Sequence, residues 1–405
     1  MKRVIKLNLL LAHNFYKNYG GEDQVVENQL KLLSKKGICV KTYFENNKDI
    51  NKNKGIGKIK LIQNSYSCNM TWEKTQKILG ASKIDIAHIH NVYPIISPGI
   101  YNVLGKHNIP IIQTLHNYRF ICPNGLMYTY NHICERCLIK NNYYECFYNK
   151  CYRKSYLQSF WYADIISRAY KKGYFNYIDR FIALTPFMKE MMIKKGFPAS
   201  KISIIPNYVE NQFDKLSYTK QNYFIYLGRL SEEKGIFTLL KAMENLNNRI
   251  NLKIIGDGPL KEAIINFIRE HKIQNIELLG FISGKEKKEF LKNAKAVIIP
   301  SECYENFPTV LLESFSLGTL GIVSKIGGVQ YMINDSFNGL HFKPSNDKDL
   351  AEKILFINNN PDKMLEMSKE AYNTYLKNYT EDIFYERLIN LYREVIEEKE
   401  GKKIK

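Results

Sequence analysis

The chain has 405 residues, a length that fits two domains better than one. Apolar residues make up 45% of it and charged residues 24%, which excludes a disordered or collagen-like protein. The 59 Lys and Arg residues outnumber the 40 Asp and Glu residues, so the formal net charge of +19 indicates anionic partners but says nothing about the fold.

The amino-terminal run resembles a signal peptide only in outline. A basic start precedes the apolar run Val4–Ala12, but Lys6 and Asn8 interrupt that run and no small-residue cleavage site follows it. We expect a buried first strand here, and no stretch approaches the roughly 20 apolar residues of a membrane helix. The protein is therefore expected in the cytoplasm, where its eight cysteines would stay reduced.

Short β-branched runs alternate with helical periodicity along the first half of the chain, which is typical of parallel sheets built from βα units. An apolar stripe predicts a helix over Gln24–Lys35, which Gly37 ends. The predicted strands of this half are Val4–Leu11, Cys39–Phe44, Ile84–His90, Pro110–Leu115 and Arg180–Leu184.

The second half repeats the pattern, and its predicted strands are Tyr223–Leu227, Leu252–Ile255, Ile276–Leu279, Ala296–Pro300, Leu320–Ser324 and Gly339–Phe342. We expect two Rossmann-like, doubly wound α/β domains that face each other across a cleft, over residues 1–200 and 201–380. The junction is predicted within Pro198–Lys220. A carboxy-terminal helix over 381–405 is expected to pack back on the first domain.

Residues 117–178 depart from this pattern and read as an insertion in the first domain, rich in Cys, Tyr, Lys and Arg. The pair Cys134 and Cys137 has the C-x2-C spacing of many zinc sites. Two interpretations stay open, a structural zinc site or ordinary reduced thiols. The candidate ligands are Cys122, Cys134, Cys137, Cys146 and Cys151.

Within the insertion, aromatic and basic residues are interleaved from Tyr143 to Phe181. This mixture is typical of a helix that lies on an anionic bilayer, so we expect a peripheral contact with the membrane. The alternative is a partly buried aromatic helix in a Lys-rich protein. Single-stranded nucleic-acid sites have a similar composition, but no nucleic-acid module accompanies this one, so no nucleic-acid partner is expected.

The most informative segment runs from Pro300 to Gly318. A strand ends at its start, and Pro308 suits the first turn of a helix that reaches Gly318, since a missing N–H costs nothing there. Backbone N–H groups around residues 307–311 would then point away from the carboxyl edge of the sheet. Such a helix start can bind a phosphate.

Two carboxylates accompany this helix start. Glu305 lies in the loop, and Glu313 lies about one turn into the helix. Because a carboxylate beside a phosphate site repels the anion, the functional interpretation is that both accept hydrogen bonds from sugar hydroxyls. The alternative is that both are ordinary solvated charges.

Two cations follow the first strand of the second half. Arg229 and Lys234 lie in the loop where ligands enter such a sheet, and together they could neutralise a diphosphate and stabilise it as a leaving group. Solvated surface charges are the alternative, and Lys234-Gly235 also fits the start of a helix.

Two features mark the first half. Gly20 and Gly21 lie between the first strand and its helix, where paired glycines allow a ligand close to the backbone or simply form a turn. His116 follows a strand at its carboxyl end and is positioned for the cleft, where it could donate a hydrogen bond or carry a proton. His88 is expected to pack inside the sheet.

In this order and spacing, the motifs resemble the family 4 glycosyltransferases, which have the two-domain GT-B fold. The resemblance covers nearly the whole chain, and one departure from the family pattern is Gln330, where the family often has Glu. It rests on Gly20-Gly21, Thr114-Leu115-His116, Pro206-Asn207-Tyr208, Gly228-Arg229, Lys234-Gly235, Gly256-Asp257-Gly258-Pro259, Gly280-Phe281 and the E-x7-E pair of Glu305 and Glu313.

The resemblance implies retaining transfer from a nucleotide-diphosphate sugar to a glycan or lipid-linked acceptor, in the synthesis of a bacterial surface polysaccharide or glycolipid. The implied catalytic residues are Glu305, His116, Arg229 and Lys234. The implied donor-binding residues are Gly20, Gly21, Phe281, Asn306, Phe307, Pro308, Thr309, Val310 and Glu313.

In the implied arrangement, Arg229 and Lys234 hold the diphosphate and Glu313 bonds the ribose. Glu305 holds hydroxyls of the donor sugar, and His116 approaches that sugar from the first domain. The acceptor attacks the sugar on the same face from which the leaving group departs. The leaving phosphate oxygen takes the proton of the acceptor.

No cofactor is expected for catalysis. The Asp-x-Asp motif by which other glycosyltransferases hold a metal occurs only as Asp347-Lys348-Asp349, which reads as a helix cap. Two other functions stay open. One is a sugar-nucleotide epimerase of the same fold, and the other is a catalytically silent carbohydrate- or membrane-binding subunit.

Overall fold

The computed structural model describes residues 7–49, 56–210 and 218–401. The chain divides into two compact units. The first comprises Met1–Leu126, Glu135–Pro206 and Phe384–Lys405, and the second comprises Met127–Cys134 and Asn207–Ile383. The sequence predicted domain boundaries at 200/201 and 380/381. The structure divides the two units at 206/207 and at 383/384.

The strands are, in chain order, β1 (Asn8–Phe15), β2 (Cys39–Asn46), β3 (Ile86–Ile89), β4 (Ile111–Leu115), β5 (Tyr128–Thr129), β6 (His132–Ile133), β7 (Arg180–Ala183), β8 (Ile202–Ile204), β9 (Phe224–Leu227), β10 (Leu252–Ile255), β11 (Ile276–Gly280), β12 (Ala296–Ile299), β13 (Leu320–Ser324) and β14 (Gly339–Phe342). The α-helices are α1 (Gly21–Lys35), α2 (Ile56–Ser67), α3 (Asn69–Ala81), α4 (Gly99–Lys106), α5 (Arg136–Ile139), α6 (Glu145–Tyr148), α7 (Tyr156–Lys171), α8 (Pro186–Lys194), α9 (Ile236–Asn245), α10 (Lys261–Glu270), α11 (Gly284–Asn293), α12 (Thr309–Ser316), α13 (Asp347–Asn359), α14 (Pro361–Asn378) and α15 (Glu381–Gly401).

The first unit contains a parallel sheet in the order β2-β1-β3-β4-β7-β8. Strand β1 continues to Phe15 instead of ending at Leu11, because the buried polar residues His13 and Asn14 find partners there. The Asn14 backbone N–H donates to the Asn91 carbonyl at 2.8 Å. Residues 4–6 of the predicted first strand lie outside the described residues, and β8 was not predicted.

Helix α1 begins three residues earlier than predicted, because the Asp23 side chain accepts a hydrogen bond from the Gly20 backbone N–H at 2.9 Å and caps the first turn. Helix α15 belongs to the first unit from Phe384 onward. Its Glu394 and Glu398 pair with Arg180 at 2.9 and 2.7 Å. Buried side chains from α1 and α15 thus help to cover the sheet.

The insertion contains helices α5, α6 and α7, a 3-10 turn over Tyr174–Tyr177 and the β5–β6 hairpin. The hairpin lies in the segment Met127–Cys134, which groups with the second unit. The sequence had assigned the whole insertion to the first domain, so the grouping of these residues differs from that expectation.

The second unit contains a parallel sheet in the order β11-β10-β9-β12-β13-β14. Three of its strands, β10, β13 and β14, have the predicted bounds, and the others differ from prediction by one residue. Apolar residues of the strands pack against buried residues of α9 and α13. The prediction of two Rossmann-like α/β domains is confirmed.

Two smaller expectations can be compared directly with the structure. Asp347 and Asp349 lie in the first turn of α13, so the prediction that they are acids at a helix start is confirmed, but the capping side chain is that of Asn346, which precedes the motif. Across the described ranges, the structure contains no helix with the length and apolarity needed to traverse a bilayer.

Candidate active site

In the second unit, several loops meet at the carboxyl edge of the sheet, beside the point where strand order reverses between β9 and β12. The loop after β9 carries Arg229 and Lys234, and the loop after β12 carries Glu305. The structure brings Lys234 and Glu305 into direct contact, whereas Arg229 stays exposed.

The Lys234 ammonium forms an ion pair with Oε1 of Glu305, and the Ser301 hydroxyl donates to the same oxygen at 2.7 Å. Burial alone would raise the Glu305 pKa, but the charge of Lys234 and these hydrogen bonds outweigh burial and hold the pKa below its usual value. Burial would lower the Lys234 pKa, and Glu305 more than offsets that effect. Both groups are therefore charged at neutral pH.

Glycines let the backbone pack tightly around this pair. Gly235 has a φ of +65°, and a Cβ there would lie 1.8 Å from the Pro300 carbonyl oxygen. Gly327 has a φ of +59°, and a Cβ there would lie 2.8 Å from Cα of Tyr304. Both positions therefore require glycine, and each holds a loop against the one that carries Glu305.

The turn after β13 also supports the loop that carries Glu305. The Gly328 N–H donates to the Glu305 carbonyl at 2.5 Å. The side chain of Gln330, the residue that departs from the family pattern, donates to the Gly327 carbonyl at 2.9 Å. Gly327 and Gly328 thus position the Glu305 backbone.

Helix α12 begins beside this loop. Pro308 occupies the capping position, one residue before the first turn where it was predicted. The first-turn N–H groups of Thr309 and Val310 have no intrahelical carbonyl to bond, whereas the Leu311 N–H bonds the Pro308 carbonyl at 3.1 Å. The donors predicted over 307–311 therefore end before Leu311. Asn306 and Phe307 are buried.

Glu313 and Phe281 lie on the same unit but make different contacts. The Glu313 carboxylate pairs with the Lys287 ammonium of α11 at 2.6 Å, and each side chain is about one quarter exposed. Phe281 directly follows β11 and is 78% exposed. The pairing of Glu313 was not predicted, because nothing in the sequence links α11 to α12.

The first unit has its own polar cluster at the carboxyl edge of its sheet. His116 follows β4, and its Nε2 lies 2.7 Å from Nδ1 of His90, which follows β3. The two rings stack at 5.0 Å between centroids, and His90 stacks in turn on His88 at 4.4 Å. His88 is fully buried and bonds the Thr114 hydroxyl, so its predicted place inside the sheet is confirmed.

These histidines are neutral. Burial lowers the pKa of His116 and of His88 to about 3, and it also holds the pKa of His90 well below its usual value. A neutral imidazole can donate one hydrogen bond and accept one, so His116 can act as a hydrogen-bond donor or acceptor without carrying charge.

Glu22 and Arg119 line a small pocket of the first unit together with His90 and His116, and neither was predicted as a site residue. Glu22 accepts hydrogen bonds from the Tyr16 hydroxyl at 2.9 Å and from the Asn117 amide at 3.3 Å. The buried Arg119 guanidinium lies 5.4 Å from the Tyr93 ring. Their nearness to the motifs in the chain was the available signal, since one follows Gly21 directly and the other follows His116 by three residues.

Gly20 behaves differently from the glycines of the second unit. Its φ is −135°, which other residues also adopt, and no atom lies within 4 Å of a Cβ placed there. Packing within the first unit therefore does not require glycine at this position. Close approach of a ligand to Gly20 and Gly21 stays a prediction.

Comparison with known proteins gives consistent results for both units. Residues 208–374 match the model described as Glycosyl transferases group 1, and residues 19–213 match the model of Glycosyltransferase Family 4. An uncharacterized glycosyltransferase of Methanocaldococcus jannaschii is 24% identical over 403 residues, which are 98% of this chain and 99% of that protein.

A second relative is the N,N'-diacetylbacillosaminyl-diphospho-undecaprenol alpha-1,3-N-acetylgalactosaminyltransferase of Campylobacter jejuni. It is 26% identical over 250 residues, which are 57% of this chain and 64% of that protein. Among solved structures, Anabaena Alr3699/HepE in complex with UDP-glucose aligns with a TM-score of 0.64 at 13% identity, over 95% of this chain and 99% of that one.

The two family models together run from residue 19 to residue 374, and the structural match extends over both units. The sequence motifs and the two parallel sheets agree with these matches. This chain belongs to the family 4 glycosyltransferases and has their GT-B fold.

Proposed function

We propose that this glycosyltransferase moves a sugar, with retention of anomeric configuration, from a nucleotide-diphosphate sugar to a glycan or lipid-linked acceptor. The product would be part of a bacterial surface polysaccharide or glycolipid. The observation that carries the proposal is the ion pair of Lys234 and Glu305 at the carboxyl edge of the second sheet, beside the start of α12.

The diphosphate would bind between two cations and a helix start. Lys234 is 29% exposed and Arg229 is exposed, so both can reach an anion that enters from solvent. The first-turn N–H groups of Thr309 and Val310 add neutral donors and the positive end of the helix dipole. These groups would stabilise the charge that develops on the leaving diphosphate, the task that a divalent metal performs in other glycosyltransferases.

Glu305 would bind the donor sugar. Its carboxylate stays ionised because Lys234 offsets the charge, so it can accept hydrogen bonds from sugar hydroxyls. We assign the backbone amides of Asn306 and Phe307 to the same sugar. Glu313 would accept a hydrogen bond from the ribose, and the exposed ring of Phe281 would contact the base.

In the reaction that we propose, an acceptor hydroxyl oxygen bonds to the anomeric carbon as the bond from that carbon to the diphosphate oxygen breaks. The hydroxyl proton passes to the leaving oxygen, so the products are the glycoside and the nucleoside diphosphate. Glu305 is engaged by Lys234 and Ser301 and is therefore poorly suited to form a covalent glycosyl intermediate. Neutral His116 would donate a hydrogen bond to a hydroxyl of the donor sugar.

Two relatives support the substrate classes. Anabaena Alr3699/HepE was solved with UDP-glucose, and the name of the Campylobacter jejuni relative specifies a diphospho-undecaprenol acceptor. These ligands favour a nucleotide-diphosphate sugar as donor and a lipid-linked sugar as acceptor here.

A lipid-linked acceptor fits one surface of the first unit, which we name the aromatic patch and define as Tyr148, Tyr156, Leu157 and Phe160. Their exposed fractions range from 43% for Phe160 to 84% for Leu157. The Phe147 ring contacts three of them, which joins the patch into one surface.

Basic residues border the aromatic patch. The Lys150 ammonium lies 4.3 Å from the centroid of the Tyr156 ring, and Arg153 and Lys154 are exposed nearby in the chain. Aromatic rings enter the interface of a bilayer and cations attract anionic lipids, so we propose that this patch holds the protein on the inner face of the membrane.

Vesicle sedimentation tests the membrane proposal. The wild-type protein should sediment with vesicles that contain anionic lipid and much less with zwitterionic vesicles. Leu157→Asp should weaken that binding, whereas Leu376→Asp, a matched change at a site that is 40% exposed on the second unit, should not. Equal binding by the two variants would contradict the proposal.

Turnover tests the enzymatic proposal. With the donor found by screening nucleotide sugars for thermal stabilisation, Lys234→Ala and Glu305→Ala should each lower turnover on the order of 100-fold. The matched pair Lys253 and Glu277, also joined by an ion pair on this unit, provides Lys253→Ala and Glu277→Ala as controls that keep activity. Unchanged turnover in Glu305→Ala would refute the site assignment.

The same assay separates the two alternatives. Release of nucleoside diphosphate without an acceptor would favour an epimerase, and failure of every donor to bind would favour a silent subunit. The configuration of the anomeric carbon in the product, read by NMR, decides between retention and inversion.

A further inference from the structure

The small pocket of the first unit is lined mainly by residues that follow β3 and β4 at the carboxyl edge of the sheet. Its polar lining includes Glu22, His90, His116, Asn117 and Arg119. Glu22, His116 and Asn117 are partly exposed, so the pocket can be reached from solvent, whereas His90 and Arg119 are only 3% and 9% exposed. Its volume of about 20 Å³ has room for a small substituent but not for a whole sugar ring.

Arg119 is a buried cation without an anionic partner. An arginine is rarely buried unless a carboxylate pairs with it, because an isolated charge is costly to remove from water. Among the described residues, no carboxylate lies within ion-pair distance of Arg119, and the buried Nε of its guanidinium has no hydrogen-bond partner. The guanidinium lies 5.4 Å from the ring centroids of Tyr93 and of Tyr162. Such contacts stabilise the charge but leave the N–H donors available.

The loop that carries Arg119 is held in place before any ligand binds. The Arg119 backbone N–H donates to the Asn117 side-chain oxygen at 3.1 Å, and the Tyr118 N–H donates to the Gly125 carbonyl at 3.1 Å. Gly125 has a φ of +77°, a conformation that glycine adopts readily. These bonds fix the backbone and the two tyrosine rings fix the guanidinium, so a ligand would find its donors already ordered.

His90 contributes a second unused group to the same pocket. Its Nδ1 lies 2.7 Å from Nε2 of His116, whereas its own buried Nε2 has no hydrogen-bond partner among the described residues. A neutral imidazole can offer that nitrogen to a ligand. Within the described part of the chain, no three His, Cys, Asp or Glu side chains are arranged to hold a metal ion, either at this pocket or among the insertion's cysteines. An organic ligand therefore suits the pocket better than a metal.

Glu22 is the carboxylate of the pocket, and its charge is already partly compensated. Its Oε2 accepts hydrogen bonds from the Tyr16 hydroxyl at 2.9 Å and from the Asn117 amide at 3.3 Å. Burial raises the pKa of Glu22, which further weakens its negative charge. Glu22 therefore repels an anion in the pocket less than an exposed carboxylate would.

We propose that this pocket binds an oxyanion of the acceptor, either a carboxylate or a phosphate group, through the guanidinium of Arg119. The inference rests on the proposed function, in which an acceptor is glycosylated. A planar guanidinium can donate two parallel hydrogen bonds to such a group, which fixes its orientation as well as its position. The cations assigned to the donor diphosphate, Arg229 and Lys234, lie in the second unit, so an anion held in the first unit is assigned to the other substrate.

This binding would determine which acceptors the enzyme uses. An oxyanion on Arg119 would leave one particular hydroxyl of the same sugar free to react, and His116 lines the pocket from the neighbouring loop position. A neutral sugar in the same place would leave the buried guanidinium without an acceptor for its hydrogen bonds. The enzyme would therefore extend an acidic acceptor and discriminate against its neutral counterpart.

Binding of small acceptor analogues tests the proposal without turnover. Three probes are titrated into the full chain by calorimetry: methyl β-glucuronide carries a carboxylate, glucose 1-phosphate carries a phosphate, and methyl β-glucoside is the neutral control. The wild-type protein should bind at least one charged probe about tenfold more tightly than the glucoside. The charged probe that binds more tightly identifies the source of the oxyanion.

Variants then assign the preference to one side chain. Arg119→Gln should remove the preference, and Arg119→Lys should retain part of it, because lysine keeps the charge but not the planar fork. Arg153→Gln is the matched control and should leave the preference unchanged, since Arg153 is exposed although it too lies near a tyrosine ring, 5.5 Å from the centroid of Tyr152. If Arg119→Gln does not fold, the wild-type comparison and Arg119→Lys still decide the question.

Three results would overturn the proposal. One is equal binding of charged and neutral probes by the wild-type protein, and another is a preference that survives in Arg119→Gln. The third is an Arg119-dependent preference for UDP-glucuronate over UDP-glucose, which would place the oxyanion on the donor. Thermal shift with nucleotide sugars tests the proposed function separately. Failure of every donor to bind to a protein that keeps the charge preference would refute the proposed function, whereas donor binding without the preference would overturn only this proposal.

Discussion

The ion pair of Lys234 and Glu305 permits a quantitative prediction, because one contact serves both stability and the proposed chemistry. The two side chains are 29% and 12% exposed. Removing one partner of a fully buried pair costs about 3–5 kcal/mol, because the remaining charge is left uncompensated. Partial exposure reduces this cost, so we expect each of Lys234→Met and Glu305→Gln to lower the free energy of unfolding by about 2 kcal/mol.

The double variant distinguishes coupling from independent effects. With both charges gone, no group is left unpaired, so its loss of stability should be smaller than the sum of the single losses by about 1–2 kcal/mol. Turnover should fall on the order of 100-fold in each single variant and little further in the double variant, since both residues would act on the same bound donor.

Calorimetry measures the free energy of unfolding of each variant, and a donor-turnover assay measures its activity. The same cycle on Lys253 and Glu277, whose side chains are 22% and 56% exposed, is the matched control and should show a coupling below about 1 kcal/mol. If the stability losses at Lys234 and Glu305 add to within about 0.5 kcal/mol, the reasoning from the buried pair is refuted.

Three further predictions concern single positions. Gly235→Ala should lower the free energy of unfolding in urea by more than about 2 kcal/mol, because the φ of Gly235 is +65° and the new Cβ would collide with the Pro300 carbonyl oxygen. Gly20→Ala is the control. Gly20 has a φ of −135° and open space around its Cβ position, so this change should alter the free energy of unfolding by less than about 1 kcal/mol. His116→Ala should lower turnover, and the wild-type profile of kcat/KM should show no ionisation of this histidine between about pH 5 and pH 8, since burial lowers its pKa to about 3. Lys220 has its pKa lowered to about 7, first by burial and then by Lys292, so the unfolded chain binds more protons than the native one between pH 7 and the ordinary lysine pKa. Wild-type stability should therefore rise with pH across that window, and thermal unfolding of Lys220→Met should show a flatter dependence.

The fold could largely be predicted from the sequence, because short apolar runs are enough to specify most strands of the two parallel sheets. Strands β10, β13 and β14 needed no other information. The errors occur where tertiary contacts override the local pattern. Strand β1 continues through His13 and Asn14 because other parts of the first unit satisfy these polar residues, and no local pattern shows that.

The candidate site was predicted as a set of residues but not as a set of contacts. Glu305 and Lys234 are 71 residues apart, and only the packing of two loops around Gly235 shows that they form a pair. The pairing of Glu313 with Lys287 is hidden for the same reason. Glu22 and Arg119 were missed because buried charge cannot be distinguished from surface charge in a sequence.

The path of the chain through its two units has a consequence for biosynthesis. The first unit begins near the amino terminus, yet it includes the chain from Phe384 onward. Tyr392 bonds His88 at 2.6 Å, and Glu394 and Glu398 bond Arg180, so His88 and Arg180 find these partners only in a segment that follows the second unit in the chain. The first unit is therefore completed only after the whole of the second unit has been synthesised, and a stop codon shortly before Phe384 would leave His88 and Arg180 without these partners.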